Sequence, residues 1–260
     1  MRNRRNAGKV TAASAITIWL ALSSTVRADP AYVSLDAGGG LAAFPKFPGA
    51  GAERIWPLPA IDAHYGPLFL DTLHGRGLGL TFLDHRSFHL GTSLWFRNSR
   101  THHDGATVAN LPDINRAAKL AMFASVTPGP YALGATFSRD LGGSNGWTLD
   151  TNAAWRFSPG SRTHASLGMS ATFASRRFMD TWFGVTSSQS AASGLPQYAP
   201  AGGLESAGPA VMLMLDLTST WYLNSAVSYN VLTHKAGDSP IVQRRGAPTL
   251  TIAFIHRFGS

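Results

Sequence analysis

The chain has 260 residues, no cysteine, and 44% hydrophobic but only 14% charged residues. Lacking cysteine, it is not a small secreted domain stapled by disulfides, and its charge falls well short of the roughly 25% usual in soluble globular chains, so another solvent must account for it. The basic excess does not mark a nucleic-acid binder: five of the 22 Lys and Arg and none of the 14 Asp and Glu fall in residues 1–28, leaving 17 against 14, a net +3, with no basic stripe.

Residues 1–28 read as a cleaved secretory signal. Arg2, Arg4, Arg5 and Lys9 precede an apolar stretch, Val10 to Leu22, that is too short to span a bilayer comfortably. Val26-Arg27-Ala28 offers a small-residue cleavage site. Residues 29–260 are then a single exported domain.

From there the chain alternates with period two. The runs fall at 32–41, 55–64, 67–73, 77–83, 87–97, 115–126, 130–139, 146–157, 163–174, 208–218, 220–231 and 248–258. In 163–174, Ala165, Leu167, Met169, Ala171 and Phe173 oppose His164, Ser166, Gly168, Ser170 and Thr172. Side chains alternate faces along a strand, so each run has one apolar and one polar face. A soluble sandwich alternates too. Two features favour lipid: most runs match the 9–11 residues a tilted strand needs to cross a bilayer, and the polar face carries charge at Asp150, Arg156 and Asp216. A dry core would leave those charges unpaired at high cost, whereas a barrel lumen hydrates or pairs them. The second run is the weakest, because Pro57 and Pro59 cannot donate ladder hydrogen bonds, and it reads as bulged or partly outside the sheet. The fold expected is all-β: a transmembrane antiparallel β-barrel of about twelve strands.

The connections alternate in length. Links at 65–66, 84–86, 127–129, 158–162 and about 219 are short, whereas 42–54, 98–114, 140–145, 175–207 and 232–247 are long; only 74–76 breaks the pattern. Short periplasmic turns and long external loops are the outer-membrane arrangement. Trp147, Trp155, Trp221, Tyr222 and Phe258 lie near run ends, where interfacial girdles sit.

The longest break reads "FMDTWFGVTSSQSAASGLPQYAPAGGLESAG" from position 178, with Asp180, Phe183, Gly184, Val185, Gln189, Ser190, Ser193, Gly194, Leu195, Pro196 and Tyr198. A second stretch is "GDSPIVQRRG" at 237–246, with Asp238, Ser239, Pro240, Ile241, Val242, Arg245 and Gly246; a third is "WPLPAIDAHYGPLFL" at 56–70 followed by "GRGLGLTFLD" at 75–84. In these motifs, in order and spacing over nearly the whole exported chain, the sequence resembles the MipA/OmpV family of outer-membrane proteins. The resemblance implies a barrel of twelve or so strands in the Gram-negative outer membrane. It also implies a scaffold linking a lytic transglycosylase to a murein synthase, or a contributor to envelope permeability. Pro196, Pro240 and the glycines fix turns, so the two motif-bearing loops are expected either to fold back and plug or narrow the lumen, or to form a ligand vestibule.

No residue set gives a chemistry outright, and no cofactor or metal site is expected. His102-His103-Asp104 has metal-ligating types but no spaced partner, and reads as a solvated loop tip. Gly75-Arg76-Gly77-Leu78-Gly79 lacks the strand–helix setting of a phosphate loop and reads as a turn. Ser87 with His89, and His164 with Ser166, leave an outer-leaflet lipid hydrolase as a third reading behind scaffold and narrow pore. Arg176 and Arg177, where the ninth strand leaves the outer leaflet, suit lipopolysaccharide phosphates or stand simply solvated. The expected function is non-enzymatic.

Overall fold

The computed structural model describes residues 33–258; the leader assigned to residues 1–28 lies outside them. The described residues form twelve strands: β1 Val33–Pro45, β2 Glu53–Tyr65, β3 Leu68–Asp71, β4 Gly77–His85, β5 Phe88–Arg97, β6 Ala117–Val126, β7 Tyr131–Leu141, β8 Trp147–Gly160, β9 Thr163–Ala174, β10 Gly203–Asp216, β11 Trp221–Leu232 and β12 Gly246–Phe258. Each pairs antiparallel with its sequence neighbour, and β1 pairs with β12, closing the barrel. Closure pairs the first strand with the last, and the one long stretch of wall left unpaired among the described residues is the outer half of β2, beyond the reach of β3.

One face of the wall is apolar and exposed. Leu94, Leu120, Phe137, Met169, Val227, Leu250 and Phe254 all point outward. In water that surface would aggregate; facing acyl chains it costs nothing. Trp155, Trp221 and Phe258 are among the outward aromatics, but Tyr222 is not: it is 5% exposed, points into the lumen, and its hydroxyl donates to Asp36 at 2.8 Å. Its neighbour Trp221 takes the outward position, so the parity of the strand overrides the girdle expectation for Tyr222.

β1 and β12 meet over Leu35–Ala43 and Leu250–Phe258. A Cβ at Gly38 or Gly40 would lie 1.9 Å from the carbonyl oxygen of Phe254 or Ile252, so only glycine permits this approach.

The strand with two prolines is not outside the sheet. β2 pairs with β1 in unbroken register from Val33↔Tyr65 to Pro45↔Glu53. Its other neighbour, β3, is what is short: four residues long, it reaches only Asp62–Tyr65. The link between β3 and β4 is five residues, 72–76, rather than 74–76, and it folds inward so that Leu73 packs against Ala60, Tyr222, Ala253 and Ile255.

At the end bearing the long connections, four loops share a hydrophobic core. Phe47 comes from the first loop, Val108, Leu111 and Ile114 from the third, and Phe178, Met179, Trp182 and Phe183 from α1 (Arg176–Phe183). Ile241 comes from the last loop, just beyond α3 (His234–Gly237). The break at 175–202 is therefore ordered structure, carrying α1 and α2 (Ser187–Ser193).

Candidate functional site

The cap over the external mouth is built from the motif residues. Ser175 caps α1 by accepting from the Phe178 amide at 3.3 Å. Phe178, Met179, Trp182 and Phe183 then fall on one helical face and are buried, while Asp180 faces solvent, paired with Arg176 at 3.5 Å. Gly184 ends the helix and its amide donates to the Asp180 carbonyl; a Cβ there would meet that oxygen at 2.3 Å. Thr186 and Gln189 form a capping box that starts α2, and Gly194 ends it in the left-handed region at φ 75°. Ser190 Oγ donates to the Leu195 carbonyl at 2.7 Å, and Leu195 packs on the cap core, with exposed Pro196 following.

The two motif loops meet. Ser239 Oγ, buried, donates to the Phe183 carbonyl at 2.5 Å, and Tyr198 donates to the Lys235 carbonyl at 3.1 Å. Burial and the neighbouring Asp238 push the Tyr198 phenol up. Arg245 pairs with Asp238, half-buried Pro240 leads into Ile241, and Gly246 opens β12 against the Tyr229 ring. Arg176 and Arg177 begin α1 and are both exposed.

The segment His102-His103-Asp104 is not a solvated tip as a whole. The two histidines are exposed, but Asp104 is buried and takes Arg54 at 2.8 Å, clamping the third loop to β2. Loop curvature in a 3₁₀ turn brings Asp104 inward, which spacing alone does not show. Nearby Arg100 donates to the Trp182 carbonyl at 2.9 Å; burial lowers its guanidinium to about 10, against the opposing pull of Asp113 and Asp104.

Below the cap the lumen carries paired charge. Arg97 Nε reaches both oxygens of buried Asp140 at 2.9 and 3.0 Å, and Ser144 Oγ donates to the same carboxylate. Asp71, fully buried, takes the His74 amide at 2.8 Å and Arg76 Nε at 2.5 Å, so Gly75-Arg76-Gly77 is a turn pinned to its own strand. Of the lumen charges read from the sequence, Asp150 accepts from Thr172 at 2.7 Å, Arg156 donates to the Gly129 carbonyl at 3.0 Å, and Asp216 pairs with Arg257 at 2.9 Å. They form no common site.

The lumen groups that the sequence reading missed include Arg97, Asp140 and Asp36 already described, and two more. Glu205 is the extra residue of a bulge between Leu204 and Ser206, which turns its side chain inward, and it is 6% exposed. It precedes the tenth run as read from alternation, because a bulge breaks the period-two signal. Lys119 lies on β6 opposite Trp95. Neither side chain has a hydrogen-bond or ion-pair partner among the described residues.

The periplasmic half holds a cavity of about 600 Å³ lined by Asp62, His74, Arg156, Ser158, His164 and Tyr222, among others. At its rim Ser158 Oγ and His164 Nδ1 are 3.1 Å apart, and His164 Nε2 lies 3.4 Å from Asp216. That is the order of a nucleophile, base and acid, but Asp216 is already held by Arg257, and Ser158 is exposed. No group of three or more metal-ligating side chains occurs among the described residues.

A closed barrel with an apolar outer belt, short turns at one end and a loop cap at the other defines an outer-membrane β-barrel protein. Residues 37–258 match the family model described as MltA-interacting protein MipA. The chain belongs to that family. No curated protein matches it in sequence. Among solved structures, an outer membrane channel from Pseudomonas putida F1 is 13% identical, with a TM-score of 0.44 over 89% of this chain and 97% of that one. OmpT of Vibrio cholerae, outer-membrane expressed, is 9% identical, with a TM-score of 0.37 over 90% and 99%.

Proposed function

We propose that this protein is a non-enzymatic outer-membrane scaffold, exported through its leader, that docks murein-remodelling enzymes at its periplasmic rim. The enzymes are a lytic transglycosylase and a murein synthase. The observation that carries the reading is the cap: four loops with a common apolar core lie over the external mouth, so the barrel is not built as a wide axial channel. The family description, MltA-interacting protein, supports the choice of partner. The rim offers Arg156 and His164 beside an open cavity. Affinity capture from detergent-solubilised envelopes tests it: wild type retains a transglycosylase, and R156A/H164A retains less. Recovery of no murein enzyme by wild type overturns the reading.

A second reading, a narrow permeability path, is favoured by the ion pairs Asp216–Arg257 and Arg97–Asp140 on the lumen side of the wall. Steady conductance of the intact barrel in a planar bilayer would support it over the scaffold. The third reading, an outer-leaflet lipid hydrolase, is the least favoured, because Ser158–His164–Asp216 lies at the periplasmic end and Asp216 is held by Arg257; fatty-acid release abolished by Ser158→Ala would revive it. In the scaffold reading Arg176 and Arg177 contact lipopolysaccharide phosphates from the cap root, where guanidinium forks suit that geometry.

A further inference from the structure

The barrel wall has a hole in its outer half. β3 pairs with β2 only over Asp62–Tyr65, so residues 53–60 of β2 have β1 on one side and no strand on the other. Across the break, β4 pairs with β5 only up to Leu78↔Leu94, so residues 95–97 of β5 have β6 and nothing opposite. The inward turn 72–76 is the sill. The break lies at the end bearing the long loops, hence in the outer leaflet.

The sequence is fitted to this break. Ile61 accepts from the Thr72 amide and donates to Thr72 Oγ1, both at 2.9 Å, so its backbone points at the break side of β2. Alternate residues share an edge, which puts residues 59 and 57 on that same side. Both are proline and have no N–H to leave bare. The Pro59 carbonyl is met by the Thr72 hydroxyl at 2.5 Å. An unpaired strand edge is costly in hydrocarbon unless its donors are removed or satisfied, and here the two donors nearest the point where the neighbouring strand stops are removed.

The break is also hollow. A cavity of about 350 Å³ is lined by Trp56 and Leu58, which face the lumen, and by Pro57 and Pro59, which face lipid, with Trp95 and Phe96 on the opposite bank. A space bordered by both faces of one strand passes through the wall. The Trp95 and Phe96 rings, from adjacent residues, stack at 4.4 Å beside it. Inward it adjoins a second cavity of about 340 Å³ that shares Phe44, Gly75 and Trp95 and is lined by Lys119 and Glu205, neither of which has a side-chain partner among the described residues. Leu73 and His74 border both the opening and the periplasmic cavity, so the turn that carries them is the partition between the two.

We propose that this opening is a lateral portal through which single-chain amphiphiles exchange between the outer leaflet and the lumen. The apolar chain lies between Trp56, Leu58 and Trp95, and the polar head meets Lys119 and Glu205. Both cavities fall within or near the 300–1,000 Å³ common for small-ligand sites, and the aromatic and proline lining suits an alkyl chain. The portal is independent of murein-enzyme docking, which uses the opposite end of the barrel.

The test uses the barrel in phosphatidylcholine vesicles. The chain has no cysteine, so a nitroxide at Leu58→Cys is unique; Thr136→Cys places one on the lumen face where the wall is paired on both sides. At 58 dissolved oxygen should relax the label more than a water-soluble nickel chelate does, and at 136 the order should reverse. Trp95→Cys repeats the measurement from the opposite bank and carries it if the first variant fails to fold. In the same vesicles 11-bromoundecanoate should quench wild-type tryptophan emission more than that of W56F/W95F. Labels at 58 and 95 that behave like 136, or equal quenching of wild type and double variant, overturn the proposal.

Discussion

Replacing Pro59 with valine should destabilise this barrel, although valine is much the better strand former. The side chain at 59 faces lipid in either case, so the apolar contact changes little. What changes is the backbone: valine brings an N–H that points into the break, where β3 has already ended. An amide left bare costs about 1–3 kcal/mol by protein mutational data, and more in pure hydrocarbon. Loss of the proline's restraint on the unfolded chain adds about 0.4–1 kcal/mol. The sum is about 1.4–4 kcal/mol. Urea unfolding in lipid vesicles, followed by tryptophan emission and by gel mobility with and without heating, measures it. Pro130→Ala, in a turn that faces water, is the control and should lose only the restraint part. If Pro59→Val matches Pro130→Ala, or is more stable than wild type, the edge is already hydrated or paired and the argument for the prolines fails.

Three other outcomes are expected. Ser239→Ala removes a buried hydrogen bond between the two motif loops; about 1–2 kcal/mol of cap stability should go, and planar-bilayer recordings should show intermittent opening absent from wild type. Asp140→Ala strands Arg97 in the lumen with its main partner gone. A loss of about 3–5 kcal/mol, reduced by any water that reaches Arg97, should appear as a lower urea midpoint, whereas Asp216→Ala, whose partner Arg257 is more exposed, should cost less. Asp113 is held below the usual carboxylate range, chiefly by its hydrogen bond with His102. Its pKa is lower folded than unfolded, so its contribution is complete above the unfolded value and is lost as pH falls through the folded one. Acid-active protease should therefore cut the 98–116 loop faster at the lowest pH, and Asp113→Asn should flatten that dependence.

The wall was largely legible in the sequence because lipid on one side and water on the other write period two into every full-length strand. Legibility failed wherever a neighbour rather than the strand itself decided the outcome. Pro57 and Pro59 argue correctly against a strand paired on both sides; that β2 is paired on one side only depends on where β3 stops. Glu205 sits in a bulge, and a bulge interrupts the alternation by which a strand is read. Tyr222 has the residue type of a girdle, but its parity on β11 puts it in the lumen. The motif loops were readable as turn-rich, but the apolar core they share joins residues as far apart as Phe47 and Ile241, and no local pattern encodes that meeting.

The glycines of β1 bear on how the cylinder is completed. The first and last strands must find each other after everything between them is in place, and Gly38, Gly39 and Gly40 give the arriving β12 a bare track at the middle of the joint. A bare track admits close approach but says little about where to stop, since strand alignment is weakly specified where side chains are missing. The stopping point must be read from the two ends of the joint, Leu35 against Phe258 and Ala43 against Leu250, and from the Asp36–Tyr222 bond that ties β1 to β11. Molecules that close one step out of alignment would be missing that bond, and the population of such mis-zipped barrels should grow when Tyr222 loses its hydroxyl.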